Sequence, residues 1–415
     1  MALARRSIQA VTATLVVAAI LVPASSASAL RTAWRQDHGR ELRAVAVDDD
    51  GNAYVTGYVR SGARRLQTLL VAKYGPDGTR RWSETWRPSP DTQTVGNDIA
   101  VGRDGRVFVA GWVSGDDDAG PSGWFVRAYG PGGDERWHRD QDGWRGQPRR
   151  SAALGIDVGG PVVAVALTTE GGAAGYHEGS IRAFRDDGSD HWRDPFEVPG
   201  FRTFDRATDV AVGRRGEVYA VGELDQKRIT PARPVVDQEI VLQRLEASNG
   251  NVQWILVMKD ADVRDADIGT AVAVRGDVLA VGARIDGGPV TGPRSERGHA
   301  WVARISTATG GLLWQRAWGQ SNRKAAEPDD VAIGPGGTVR IAGTVRGSGD
   351  GVDAFLRSYT ASGGRHGSMR LSSGRFLHGS GVATGPSGGR VWFTAWRGTR
   401  DADRPDGGSL WQFRP

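Results

Sequence analysis

The sequence predicts an all-β protein: a seven-bladed β-propeller of four-stranded antiparallel blades, its last blade closed by the N-terminal strand. Three observations predict it. The phrase "VAVDDDGNAYVTGY" at residues 45–58 returns along the chain, a second phrase ending in Trp follows most of its copies, and the two ends of the chain carry complementary fragments of one unit.

The first phrase reads strand, tight turn, strand. Close copies are "IAVGRDGRVFVAGW" from Ile99, "VAVGRRGEVYAVGE" from Val210 and "VAVRGDVLAVGA" from Val272, and looser ones start at Ile156, Val331 and Val382. Their turn glycines fall at Gly51, Gly105, Gly160, Gly216, Gly276, Gly337 and Gly389, in steps of 54, 55, 56, 60, 61 and 52 residues. The second phrase is "LVAKYGPDGTRRW" to Trp82, "FVRAYGPGGDERW" to Trp137, "IRAFRDDGSDHW" to Trp192, "VLQRLEASNGNVQW" to Trp254 and "WVARISTATGGLLW" to Trp314. Two hairpins give four strands, and four-stranded units at periods near 40 to 60 residues mark propeller blades.

The turns supply glycine for positive φ, with Asp and Asn that bond the backbone two residues on. Acids in "DDDGN" and "GDDDAG" are therefore read as structural, since neither has the ligand spacing of a twelve-residue calcium loop. First strands such as "AVAV", "DIAV" and "DVAV" mix small and β-branched residues, which suits an inner strand near a crowded axis. After "SLWQF" the chain ends at Pro415 without a fourth strand, while "LRTAW" at Leu30–Trp34 carries a terminal Trp without the strands that should precede it. Joining the two fragments closes the last blade and removes exposed sheet edges. The sixth unit departs from the pattern, with Gly367 in the Trp position.

Residues 1–29 read as a secretory signal: Arg5 and Arg6, then the apolar "AVTATLVVAAILV", then "ASA" at Ala27–Ala29, with cleavage expected after Ala29. The expected domains are this signal and one propeller spanning 30–415. The apolar run is short for a membrane span, so no membrane insertion is expected after cleavage. The export route, Sec or twin-arginine, stays open at "ARRSIQ", because Gln9 stands where a second apolar residue is wanted. Removing the signal takes two charges from the net +5. A nearly neutral chain without a Lys/Arg block argues against nucleic acid as a partner. With no cysteine, a disulfide framework, a thiolate metal site and a cysteine nucleophile are excluded.

The hairpin pair, best preserved from Val45 to Trp82, resembles the secreted bacterial β-propeller repeat family, whose units run from an "IAVDxxGNxYVTG"-like to a "FVxKxxxxGxxxW"-like hairpin. That resemblance covers essentially all of residues 30–415 and implies an exported seven-bladed propeller with no common activity. The phrases "EASNGNVQW" and "STATGGLLW" resemble the tryptophan-docking repeat of pyrroloquinoline-quinone (PQQ-like) propellers. Methanol-dehydrogenase-type enzymes of that group would imply a vicinal disulfide and eight blades. A cysteine-free seven-blade chain departs on both counts, so the phrase is read as a packing device and no cofactor is expected.

The longer connections share one face, as in "VSGDDDAGPSG", "ELDQKRITPARPVVDQ" and "RIDGGPVTGPRSERG", and loops on a rigid scaffold are where binding residues concentrate. Trp86, Trp144 and Trp396 lie in or beside such connections, each followed by Arg (Arg87, Arg145 and Arg397), a pairing that suits stacking on a sugar ring or planar ligand. Burial between neighbouring blades is their plainer role. Asp98, Asp209 and Asp330 share one column ahead of the inner strand in the second, fourth and sixth units. They would hold a cation or a basic group at the channel mouth, or satisfy local backbone amides. His38 and His378 share an "HG" context in neighbouring blades, which without a further ligand is a weak basis for a metal. No catalytic or metal-ligating residue is assigned, since G-x-S-x-G, H-E-x-x-H and P-loop patterns are missing. The expectation is a monomeric, secreted, non-catalytic binding or interaction module for an extracellular glycan or another exported protein. The alternative is a secreted propeller enzyme, a polysaccharide lyase or hydrolase or a quinone-dependent oxidoreductase.

Overall fold

The computed structural model describes residues 10–14, 30–38, 41–61, 65–115, 121–141, 150–171, 176–199, 204–228, 235–259, 267–285, 299–319, 326–346, 351–372, 376–398 and 407–414. Their strands form antiparallel units of four in which chain order is also spatial order: 41–86, 93–140, 150–195, 204–259, 268–318 and 326–371, hereafter units one to six. Unit seven takes three strands from 376–414, and its fourth is Arg31–His38, antiparallel to Gly407–Arg414 from Arg31↔Arg414 to His38↔Gly408. One parallel pair, Val352↔Phe376, links the sheets of units six and seven, and Ala10–Thr14 adds a fifth strand to unit four. This is the all-β architecture of a β-propeller, built from small sheets packed face to face.

The hydrophobic core lies between units rather than within any of them. Each cluster draws on two neighbours: Tyr54, Leu69 and Val71 of unit one meet Ile99, Val109 and Phe125 of unit two, all buried. Units seven and one are joined in the same way, where Leu42, Val55 and Leu70 pack on Trp392 and Leu410. Both faces of a unit are therefore buried, which is why its middle strands read as apolar runs without alternation.

The inner hairpins close as the turn chemistry requires. Gly51 takes φ +80°, and its N–H donates to the Asp48 carbonyl at 3.0 Å. The Asp48 carboxylate accepts from the Asn52 N–H at 2.8 Å and from the Tyr54 hydroxyl at 2.8 Å, so this acid of "DDDGN" shapes its turn. In unit seven the positive φ falls on Gly388 (+72°), one residue before the glycine expected from the repeat.

A Trp near the start of the outer strand latches one unit to the next. Its indole N–H donates to a carbonyl in the second-hairpin turn of the following unit: Trp82 to Pro131, Trp137 to Asp186, Trp192 to Ala247, Trp254 to Thr307 and Trp314 to Ala361, at 2.8–3.2 Å. Trp34 does the same from unit seven to Pro76 of unit one. The ring lies flat against the turn glycine, and a Cβ on Gly188 would sit 2.6 Å from Trp137. This is the packing role read from the PQQ-like phrase, and it explains unit six as well. Gly367 pairs with Ser358 as Trp314 pairs with Arg304, but the unit seven strands that would offer the receiving turn are the two chain ends.

Candidate functional site

In every unit the innermost strand carries a β-bulge at one position, seen as a register shift, for instance, between Leu42 and Ala44 or between Gly96 and Asp98. A bulge turns the extra residue out of the ladder. The bulged residues Arg43, Asn97, Leu154, Thr208, Thr270, Asp329 and Ser380 all face one central cavity of about 700 Å³, a size at which small ligands are commonly held. From this ring the cavity runs toward the inner-hairpin turns, reaching Asp48, Arg103, Asp104, Arg214 and Gly276.

The residue after each bulge alternates: Ala44, Asp98, Gly155, Asp209, Ala271, Asp330 and Gly381. The alternation has a steric cause. Each Asp places one oxygen on the next N–H of its own strand and the other on an N–H of the following unit. Asp98 accepts from Ile99 (2.8 Å) and Ile156 (2.7 Å), Asp209 from Val210 (2.8 Å) and Val272 (2.8 Å), and Asp330 from Val331 (2.7 Å) and Val382 (2.7 Å). Small residues between them leave room: a Cβ on Gly155 would lie 2.4 Å from the Asp209 carboxylate. Unit three has the same device two residues further on, where Asp157 accepts from Val158 (2.8 Å) and from Val212 of unit four (2.7 Å).

Burial in the channel wall pushes these carboxyls up. Asp98 rises to about 8, by burial first and then by the charges of Asp330 and Asp157, against the pull of its two N–H donors. Asp330 rises to about 7 and Asp157 to about 6, both by burial. Asp209 is raised by burial and by Asp98, and Asp329 by burial and by Glu327. The wall therefore carries less negative charge at neutral pH than its number of carboxyls implies, with Asp98 the most strongly raised of those at about 6 to 8, while every bridging oxygen keeps a main-chain donor. Among the described residues no group of three or more His, Asp or Glu is arranged to cage a metal ion.

Further polar links reinforce the ring. The Arg43 guanidinium donates to Asn97 (2.8 Å), the Asn97 amide to the Ala153 carbonyl (2.8 Å), Thr208 to the Gly269 carbonyl (2.6 Å), and Ser380 to the Leu42 carbonyl (2.8 Å). The bulged residues and Asp157 were not singled out from the sequence. Two signals were available: a residue preceding the Asp column in every unit, and an Asp displaced by two, which in a strand keeps the same face.

The structure brings Asp98, Asp209 and Asp330 together and leaves the tryptophans apart from them. Trp86 ends the outermost strand of unit one, where the Arg127 guanidinium sits 3.9 Å above its ring and Phe125 meets it edge-on at 5.2 Å. Trp144 and Arg145 lie outside the described residues. Trp396, on the second strand of unit seven, stacks on His378 with ring centres 4.0 Å apart and planes 9° from parallel, and burial lowers His378 to about 4. Arg397 reaches within 4.0 Å of Asp37 on the closing strand. His38 meets the Tyr74 hydroxyl at 3.2 Å instead of converging with His378.

No protein-family model and no curated relative matches the chain. Similar solved structures include quinohemoprotein alcohol dehydrogenase from Comamonas testosteroni, at 15% identity over 93% of this chain and 76% of that one, TM-score 0.47. Sqt1 from Chaetomium thermophilum matches at 12% identity over 93% of this chain and 100% of its own, TM-score 0.47. A protein of unknown function from Bacteroides caccae matches at 11% over 79% and 98%, TM-score 0.42.

Proposed function

We propose that the chain is a closed seven-bladed propeller of the secreted bacterial repeat type, exported after cleavage at Ala29. It acts outside the cell as a monomeric, non-catalytic binding or interaction module for a glycan or another exported protein. One observation carries the reading. Of the acids that line the channel wall, Asp98, Asp157, Asp209 and Asp330 each have both oxygens on main-chain N–H groups of two adjacent units, which leaves Asp329, met by the Thr344 hydroxyl at 3.4 Å, as the acid of the bulge ring without such a bridge. The four bridging acids act as joints of a rigid scaffold, and rigid scaffolds present binding residues on their loops. The loop-side candidates Trp144, Arg145, Trp396 and Arg397 remain the proposed ligand contacts.

The test has three arms. N-terminal sequencing of the protein recovered from culture medium is expected to begin at Leu30. A glycan array and a pull-down from the surface fraction are expected to return a saturable ligand that Trp396→Ala weakens. Incubation of any bound glycan with the protein is expected to leave it uncut, and chain cleavage would overturn the non-catalytic reading in favour of the enzyme.

A further inference from the structure

Outer strands are the exposed edges of a propeller, and most here are guarded by charge, as edges in soluble proteins are. "RRWSETW", "ERWHRD", "DHWRDP", "LLWQRAW", "RHGSMRL" and "RTAWRQDH" all carry at least one arginine. Unit four differs. Its outer strand, Val252–Lys259, reads "VQWILVMK", with no charge between Trp254 and Lys259.

This edge is covered. Ala10–Thr14 ("AVTAT") pairs with it in parallel, from Ala10↔Ile255 to Thr14↔Lys259. Ile255, Leu256, Val257 and Met258 are 1%, 1%, 5% and 2% exposed, the first and third packed on unit three and the other two on unit five, whereas their register counterparts on the outer strand of unit five, Gln315, Arg316, Ala317 and Trp318, are half-buried. The covering segment lies within residues 1–29, which the proposed export step removes. Cleavage would leave an uncharged edge with its backbone N–H and C=O groups open, the geometry on which strand addition works.

We propose that the outer edge of unit four is a strand-acceptor site, and that its occupant in the exported protein is an extended, uncharged apolar segment of another exported polypeptide, added parallel to Val252–Lys259. The proposal rests on the export reading above and narrows it from glycan or protein to protein. The chain's own segment 10–14, an uncharged stretch that reads AVTAT, pairs there over five positions.

The experiment uses the full chain with a protease recognition sequence inserted after Ala29, cut after folding, so that edge binding is read independently of export. The probe is a labelled synthetic peptide of residues 8–16, "IQAVTATLV". The cut and washed protein is expected to bind it saturably, and the uncut protein about tenfold more weakly or not at all, because its edge is occupied. The same peptide carrying both Val11→Pro and Thr12→Pro, adjacent positions of which one points its N–H at the edge, loses a ladder donor without touching the protein's fold and is expected to bind about tenfold more weakly. Equal binding by cut and uncut protein, equal binding of the proline peptide, or no binding at all would overturn the proposal. So would self-association of the cut protein through this edge in place of peptide binding. N-terminal sequencing of the protein from the medium tests export alone: an intact residue 1–29 segment there removes the export reading, and the peptide result still decides whether the edge accepts strands.

Discussion

Units two and three are joined at two radii by opposite devices. At the outer rim the Trp137 indole N–H reaches the Asp186 carbonyl, and at the channel wall the Asp98 carboxylate reaches the Ile156 N–H. The outer latch is an aromatic plate on a glycine turn, repeated from unit to unit and, among the described residues, missing between units six and seven. The inner latch is a buried carboxylate that occurs at some interfaces and is replaced at others by neutral links such as Ser380 to Leu42. Uniform parts repeat because each blade meets the same turn; irregular parts arise because acids at one level of the wall need small neighbours, so that unit three carries its acid two residues further on, at Asp157. The interface that lacks the tryptophan keeps the acid, Asp330.

That division is sharpest where only one latch is present. Asp330→Ala leaves the buried N–H groups of Val331 and Val382 without their acceptor, at a cost of about 2–4 kcal/mol for two unsatisfied donors. Asp98→Ala is expected to cost less, since Trp137 still ties units two and three together. Denaturant midpoints of the two variants, compared with the parent, check the order. A larger loss for Asp98→Ala would break the idea that the two latches substitute for each other.

The outer latch is attacked from either side. Trp137→Ala removes a partly buried ring and its hydrogen bond, for about 2–3 kcal/mol, below the range for a fully buried aromatic. Gly188→Ala forces a side chain into φ +79° and against the same ring, for about 1–3 kcal/mol. Because both act on one contact, the double variant is expected to fall short of the sum of the two in thermal unfolding.

The sequence disclosed the outer latch and concealed the inner one. Trp82, Trp137, Trp192, Trp254 and Trp314 announce themselves because one large residue recurs after one kind of turn, and the completion of unit seven by Arg31–His38 followed from two visibly incomplete ends. Asp98, Asp209 and Asp330 were legible as a column but not as bridges, since their second partner sits in another unit 52 to 63 residues on, and periodicity says nothing about reach. Trp86 carried the opposite risk: an aromatic followed by arginine reads as a binding pair, yet the arginine over its ring is Arg127, from the next unit.

Titration separates the two latches in a different way. Carboxyls raised to about 8 at Asp98, about 7 at Asp330 and about 6 at Asp157 bind protons in the folded state that the unfolded chain has released. Their contribution is full below the unfolded carboxylate range near 4 and is lost as pH climbs through these values. His378, lowered to about 4, works in reverse, losing stability only as pH falls below about 6.5. Between pH 8 and 6.5 the acids act alone, so the melting temperature is expected to rise as pH falls over that window. Asp98→Asn is expected to flatten that slope, and Trp137→Ala to leave it unchanged. A parent protein that melts higher at pH 8 than at pH 6.5 would contradict the inner-latch electrostatics.

The smallest effect is expected where the outer latch has nothing to close on. Gly367 occupies the Trp position of unit six, and a Cβ there would meet no atom within 4 Å, so the site has space for a larger residue. What it lacks is the receiving turn, because the third and fourth strands of unit seven are the C-terminal and N-terminal strands of the chain. Gly367→Trp is therefore expected to change stability by no more than about 0.5 kcal/mol, as surface substitutions without a partner do. If the tryptophan stabilised the protein by as much as Trp137→Ala destabilises it, the turn would not be the essential half of the latch, and burial of the ring alone would explain the outer seam. A neutral result, read beside a costly Trp137→Ala, places the value of the latch in the pairing of indole and turn.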